Sequence, residues 1–314
     1  MRHLCRLIAG GALTTASLMI PSQSGVAALS CGKPSAMPPC ETDSHTSSKP
    51  ASRKNDGPSR ATPYRSVAHS NIAAVVDADT SQLLYEKNPN KVTPIASITK
   101  LMTAIVTLEA KLPLAEVIEV SDEDVDDLKG SSSLLNVGSR LTREDMLHIA
   151  LMASENRAAA CLSRNYPGGR PAFLEAMNRK ARELGMDSTQ FVSPNGLSAE
   201  NVSTALDLVK LVKAACEYSL IRSFSTDTRY DVFVGKAGNR RLQYGNTNRL
   251  VGRPDWNIEL QKTGYISESG RCLVMEAQVD GRNLIMVFLD SFGKLTCFAD
   301  ARRVRRQLAV QQGR

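Results

Sequence analysis

Histidine is scarce in this chain of 314 residues: His3, His45, His69 and His148 are all it has. His3 falls in an apolar leader and His45 in a polar stretch. The two that remain are far apart, which excludes a histidine-built zinc site and a Ser-His-Asp triad. Cysteine is also sparse. The seven are Cys5, Cys31, Cys40, Cys161, Cys216, Cys272 and Cys297, with no C-x-x-C, so neither a zinc cluster nor a dense disulfide framework is indicated. Two pairings merit testing in an oxidising compartment, Cys31 with Cys40 and Cys272 with Cys297; Cys161 and Cys216 read as small buried hydrophobes. A membrane-spanning run is missing as well, because the apolar stretch from Leu7 to Ile20 is short and interrupted. No metal or other cofactor is expected.

That stretch is instead a secretory leader over residues 1–28. Arg2 and Arg6 precede it, and small residues at Val26-Ala27-Ala28 offer a cleavage site. The expected destination is the periplasm of a bacterial envelope. Ala28-Leu29-Ser30-Cys31 has Ala where a lipobox carries Leu, so a lipid anchor at Cys31 is not expected. Residues 29–65 are rich in Pro, Ser, Thr and Lys with almost no large apolar side chain, the composition of a disordered basic linker. The net charge of +7 suits work beside anionic envelope polymers, while nothing patterns the chain for nucleic acid. Arg302, Arg303, Arg305 and Arg306 read as the solvated face of a last helix, with weak contact to the envelope or membrane surface as the alternative.

Three short motifs then stand in a fixed order: Ser97-Ile98-Thr99-Lys100, Ser154-Glu155-Asn156 and Lys262-Thr263-Gly264. Each is cheap alone. S-x-x-K is expected about once in a chain of this length, and here it also occurs from Ser30 and from Ser291. Context separates them. Pro94 ends any earlier helix, and Lys100 to Ala110 is apolar on nearly every face, so Ser97 begins a buried helix. Ser97 and Lys100 are three apart and share a face. Unpaired N–H groups at such a start suit an oxyanion. Ser154-Glu155-Asn156 lies between two helical stretches, the first opened by the capping pattern Thr142-Arg143-Glu144-Asp145. Ser193-Pro194-Asn195-Gly196, a second S-x-N, reads as a turn. Lys262-Thr263-Gly264 begins a strand, and Gly264 lets a ligand approach its backbone.

Strand patterns at Ile72–Ala78 and Gln82–Tyr85 precede the Ser97 helix, and a meander follows Lys262. The middle is helical, with clear helices at Pro171–Leu184 and from Thr204 to Cys216. The expected fold is α+β, an antiparallel five-stranded sheet flanked by helices. Its sheet part covers about 66–120 and 225–314, and its helical insertion about 121–224.

A free serine is a poor nucleophile and needs a base. Without histidine that base is a lysine, which works only when neutral. Burial of Lys100 and a second cation at Lys262 supply the shift this requires. The three motifs, with Pro94 to Met102, Tyr166-Pro167-Gly168-Gly169, Asn201 to Ala205 and Asn246 to Leu250, resemble the penicillin-binding protein and serine β-lactamase superfamily. Within it the chain is most similar to the D-alanyl-D-alanine endopeptidases of peptidase family S11. The resemblance implies a β-lactamase/transpeptidase-like fold and a domain from residue 66 to 314. It implies that Lys100 takes the Ser97 proton and that Ser154 relays a proton to the leaving amine. Asn156 would hold the substrate backbone. Lys262 and Thr263 of the Lys262-Thr263-Gly264 strand would bind a terminal carboxylate or its equivalent, and the N–H groups of Ser97 and Tyr265 would form the oxyanion hole. The implied partners are peptidoglycan cross-links as substrate and β-lactams as covalent inhibitors.

Three other readings fit the motifs less well. A D-alanyl-D-alanine carboxypeptidase is the nearest, but the short stretch after Gly264 holds only a meander and one helix, without the extra β-rich domain common in that group. A class A β-lactamase needs a deacylating carboxylate in Glu-x-x-x-Asn; Glu175 has the wrong spacing and lies in mid-helix. A silent binding protein is disfavoured by intact Ser97, Lys100, Ser154, Asn156 and Lys262.

Overall fold

The computed structural model describes residues 67–235 and 239–311. The leader, the linker and the Cys31–Cys40 pairing lie outside them. The chain enters through β1 (Ile72–Asp77) and β2 (Leu83–Lys87), then β3 (Thr93–Pro94) and a 3-10 turn over Ala96–Thr99 that runs into α1 (Lys100–Glu109). After β4 (Val117–Glu119) and β5 (Arg140–Thr142) come α2 (Arg143–Met152), α3 (Asn156–Arg164) and α4 (Gly169–Glu183). β6 (Val202–Ser203), α5 (Ala205–Cys216) and α6 (Ser219–Thr226) complete this helical stretch. β7 (Arg229–Val234) and β8 (Arg240–Gly245) form a separate hairpin, and β9 (Asn257–Ile266), β10 (Gly270–Val279), β11 (Arg282–Ser291) and α7 (Thr296–Gln311) close the fold.

The main sheet has five antiparallel strands in the order β2-β1-β11-β10-β9. Alternation along β1 sends Ile72 and Ala74 into the core shared with the helical stretch, and Ala73 and Val75 into a second core beneath α7. Both faces are therefore covered, while β9 remains an edge. β9 starts at Asn257, ahead of Lys262 where the sequence expectation placed it. Polar Gln261 hides the strand in the sequence; its amide is buried and donates to Ser225 O at 2.7 Å and Asn246 Oδ1 at 2.9 Å.

α1 is the central helix, with Lys100 through Thr107 all buried. α2 is capped as its sequence implies: Thr142 Oγ1 accepts from Asp145 N at 3.0 Å, and the Asp145 carboxylate accepts from Thr142 N. Cys272 and Cys297, one of the two pairings to be tested, are free buried thiols. The Cys272 thiol donates instead to Ser269 O at 3.7 Å. Cys161 is core, whereas Cys216 is half-buried and donates to Glu276 Oε2 at 2.7 Å.

Candidate active site

The site forms where the edge strand β9 meets the turn that precedes α1. β3 pairs with β6, and Ile95 N donates to Asn201 O at 3.0 Å, which fixes the chain entering that turn. Ala96 then adopts φ +46°, a left-handed conformation that costs an alanine about 1–2 kcal/mol. The turn is held by Thr99 Oγ1, which donates to Ala96 O at 2.8 Å and accepts from Asn201 Nδ2 at 3.0 Å. Ser97, only 9% exposed, is left lining a groove.

Lys100 sits one step behind. Its Nζ lies 2.9 Å from Ser97 Oγ, 2.7 Å from Asn156 Oδ1 and 2.8 Å from Asn195 O. Burial pulls its pKa from 10.5 to about 7, with the charge of Glu155 opposing that fall. Lys262 is buried on β9, and its Nζ donates to Thr263 O at 2.9 Å. Its pKa is driven well down, first by burial and then by repulsion from Lys100.

The other motif residues converge from separate elements. Ser154 lies between α2 and α3 at φ +62° with its side chain on the groove. Glu155 anchors that connection: its N–H donates to Ile149 O at 3.1 Å, and its carboxylate caps α3 by accepting from Ala158 N at 3.1 Å. Asn156 opens α3, where its Nδ2 donates to Ser131 Oγ at 3.0 Å. On β9, the Thr263 hydroxyl is 2.6 Å from that of Thr247. Tyr265 is 56% exposed, and Arg271 stacks over its ring at 4.4 Å.

Gly264 lines the groove and also serves the chain's own packing. A Cβ there would lie 3.0 Å from Ser97 N and 3.0 Å from Ala96 Cβ. The missing side chain thus also admits the nucleophile turn, drawn against the strand. Gly196 does the same from the opposite side. At φ +79°, a Cβ would meet Ala96 O at 2.0 Å.

All of Ser97, Lys100, Ser154, Asn156, Lys262, Thr263, Gly264 and Tyr265 thus come together. The rival Ser291 is buried 2.7 Å from the Ser70 hydroxyl, in a network completed by Asp300. Glu175 is exposed on α4, away from the groove. His148 is buried between the rings of Phe224 and Tyr230, at 4.3 and 3.7 Å. Sequence reasoning missed Asn195, whose carbonyl binds Lys100, because a Pro-Asn-Gly turn advertises its bend and not where its carbonyl points. Ser131, Thr247 and Arg249 were also missed as lining residues. The segment from Asn246 to Leu250 was a signal for the last two.

The groove holds about 780 Å³ and runs from Ser131 and Asn156, past Ser97 and Thr263, to Arg271 and Lys294. A hydroxyl beside a buried amine poised near neutrality, under an open strand edge, can be deprotonated and attack an extended acyl chain.

The chain is similar to known proteins over most of its length. A family profile described as D-alanyl-D-alanine carboxypeptidase, Peptidase S11, matches residues 59–293. A D-alanyl-D-alanine endopeptidase of Pseudomonas aeruginosa is 48% identical over 255 residues, covering 81% of this chain and 82% of the relative. One from Escherichia coli is 49% identical over 236 residues, covering 75% and 76%. Among solved structures, the Streptomyces K15 DD-transpeptidase is similar with a TM-score of 0.71 and 26% identity, over 76% of this chain and 96% of that one. Penicillin-binding protein D2 of Listeria monocytogenes, in a cefotaxime-bound form, gives 0.67 and 28%, over 76% and 96%.

Proposed function

The chain belongs to the D-alanyl-D-alanine carboxypeptidase family of serine peptidases, S11, and from that premise we propose a penicillin-sensitive serine D,D-endopeptidase that opens D-alanyl cross-links in peptidoglycan. The observation that carries the chemistry is Lys100 Nζ, buried and 2.9 Å from Ser97 Oγ, with its pKa near 7. Asn156 Oδ1 and Asn195 O take two of its N–H groups, which leaves the third direction, a lone pair in the neutral amine, facing the hydroxyl.

Lys100 accepts the Ser97 proton as Oγ bonds to the D-alanyl carbonyl carbon. The N–H groups of Ser97 and Tyr265 receive the oxyanion. As the C–N bond breaks, Ser154 relays the proton held by Lys100 to the leaving amine; water then attacks the acyl-serine, giving one proton to the freed Lys100, which returns it to Ser97 Oγ as the acid leaves. The substrate backbone lies extended along the free edge of β9, held by Asn156, while Lys262 and Thr263 meet the carboxylate on the leaving side. Gly264 keeps β9 close enough to the turn for these groups to act on one carbonyl.

Cleavage of cross-links, rather than trimming of terminal D-alanine, rests on the two endopeptidase relatives near half identity. Residues 1–28 export the chain to the periplasm, residues 29–65 tether a peptidase domain spanning 66–314, and the arginine face of α7 gives weak contact with the envelope. Among the described residues no helix is long and apolar enough to cross a membrane. The test is labelling with a fluorescent penicillin and mass mapping of the adduct. It is expected on Ser97, absent in Ser97→Ala, and its absence from folded wild type overturns the reading. Incubation with purified cross-linked dimers and monomeric pentapeptides then separates the activities. Release of D-alanine from monomers with dimers intact would make the enzyme a carboxypeptidase.

A further inference from the structure

The groove continues past the groups that the proposed reaction uses. Beyond Tyr265 it is lined by Arg271 at the start of β10, Lys294 in the segment leading into α7 and Phe298 in the first turn of α7. Four cations line the whole groove, Lys129, Arg249, Arg271 and Lys294, with no aspartate or glutamate among the described lining residues. Lys129 is paired with Glu268. The side chains of Arg271 and Lys294 have no ion pair and no hydrogen bond to any described residue. Like charges brought to one concave end without a counter-ion repel each other. Their field is focused into the groove, and an anion would relieve both.

Arg271 is also pre-set for such a ligand. It lies opposite Tyr265 in the β9–β10 register, and its guanidinium rests on that ring at 4.4 Å. Stacking holds the plane of the fork and leaves its N–H edges for a carboxylate, so less side-chain freedom is lost on binding.

The direction of the substrate decides which carboxylate. In the reaction proposed above the leaving side lies at Lys262 and Thr263, and the oxyanion at Ser97 and Tyr265. The acyl side therefore extends past Tyr265, toward Ile266 and Arg271. In a stem peptide the residues preceding the attacked D-alanine, a diaminopimelyl and a γ-linked glutamyl, each keep a free carboxylate.

We propose that Arg271 and Lys294 form a subsite for a carboxylate of the acyl-donating stem peptide, which makes them specificity-determining residues for the long, anionic substrate. This rests on the peptidase reading and adds to it a site outside the three motifs.

The experiment measures kcat/KM on purified cross-linked dimers whose donor stem carries free carboxylates or carboxamides, and on dimers amidated only in the acceptor stem. Wild type is expected to lose about tenfold on donor amidation, through KM, and the loss should shrink as salt rises. Arg271→Gln with Lys294→Gln is expected to cleave both donor forms at nearly equal rates. Lys294→Gln alone, a change at an exposed position, should give a partial effect, and Arg271→Lys should recover part of the discrimination. Thermal unfolding of each variant checks that the fold is retained. The proposal is overturned if the double variant still favours the free-carboxylate donor tenfold, if wild type does not distinguish the donor forms, or if only acceptor amidation matters. Failure of a penicillin to acylate Ser97 in wild type would instead overturn the peptidase reading itself.

Discussion

The pH dependence of Ser97 acylation tests the heart of the site. Burial brings the Lys100 pKa from 10.5 to about 7. At about 1.36 kcal/mol per decade, that is about 5 kcal/mol by which the folded protein disfavours the ammonium. Half the amine is then neutral at pH 7 and about 1% at pH 5, so acylation by a penicillin should fall about tenfold per pH unit below 7 and level off above it. With an ordinary lysine the rate would climb on toward pH 10. The assay is the second-order rate of fluorescent-penicillin labelling from pH 5 to 9. A profile still rising tenfold per unit above pH 8, or flat down to pH 5, would refute the reasoning. Stability supplies an independent arm. Between pH 7 and 10.5 the unfolded chain binds the Lys100 proton and the folded chain does not, so this residue's penalty is full below pH 7 and disappears as pH rises through that window. Relative to Lys100→Met, wild type should therefore gain about 3–4 kcal/mol of unfolding free energy between pH 7 and 10, read by urea denaturation.

Other consequences are local. Glu155→Gln removes the charge that opposes the fall in the Lys100 pKa, so the acidic limb of the same profile should move to lower pH; an alkaline shift would contradict the electrostatics. Gly196→Ala places a Cβ 2.0 Å from Ala96 O at φ +79° and should cost about 2–4 kcal/mol in denaturant, with slower acylation. A loss below about 1 kcal/mol would mean the nucleophile turn yields easily. Ser97→Ala should abolish penicillin labelling with an unchanged unfolding midpoint, because the hydroxyl meets only Lys100 Nζ and, at 3.4 Å, Asn195 O.

What could be read from the sequence follows from the range of the interactions. Ser97 and Lys100 share one turn of chain, and continuous apolar runs mark β1, β10 and β11, so these were visible locally. The caps at Thr142 and Thr204 were visible for the same reason. The start of β9 was not, because the amide N–H groups of its buried Gln261 find their partners at Ser225 and Asn246, far off in sequence. Asn195 acts through its carbonyl, which no side-chain pattern encodes. Its place depends on Asn201, whose Oδ1 accepts from Val192 N and Ser193 N at 3.0 Å each. Gly264 was noticed for its missing side chain, but only the fold shows that Ser97 N also lies against it.

The open edge of β9 has a cost that reaches beyond catalysis. A strand with unpaired N–H and C=O groups is a template for any extended chain, including one from another copy of the same protein, and sheet edges of this kind seed aggregation. α6 shields this edge at Gln261, whose N–H donates to Ser225 Oγ at 3.3 Å, but beyond it the edge must stay uncovered to serve a peptide. The cations along its groove offer a different protection: they repel another copy of this positively charged chain while drawing in an acidic peptide. Colloidal stability and substrate choice then depend on the same few charges, and neutralising them for one purpose would be felt in the other.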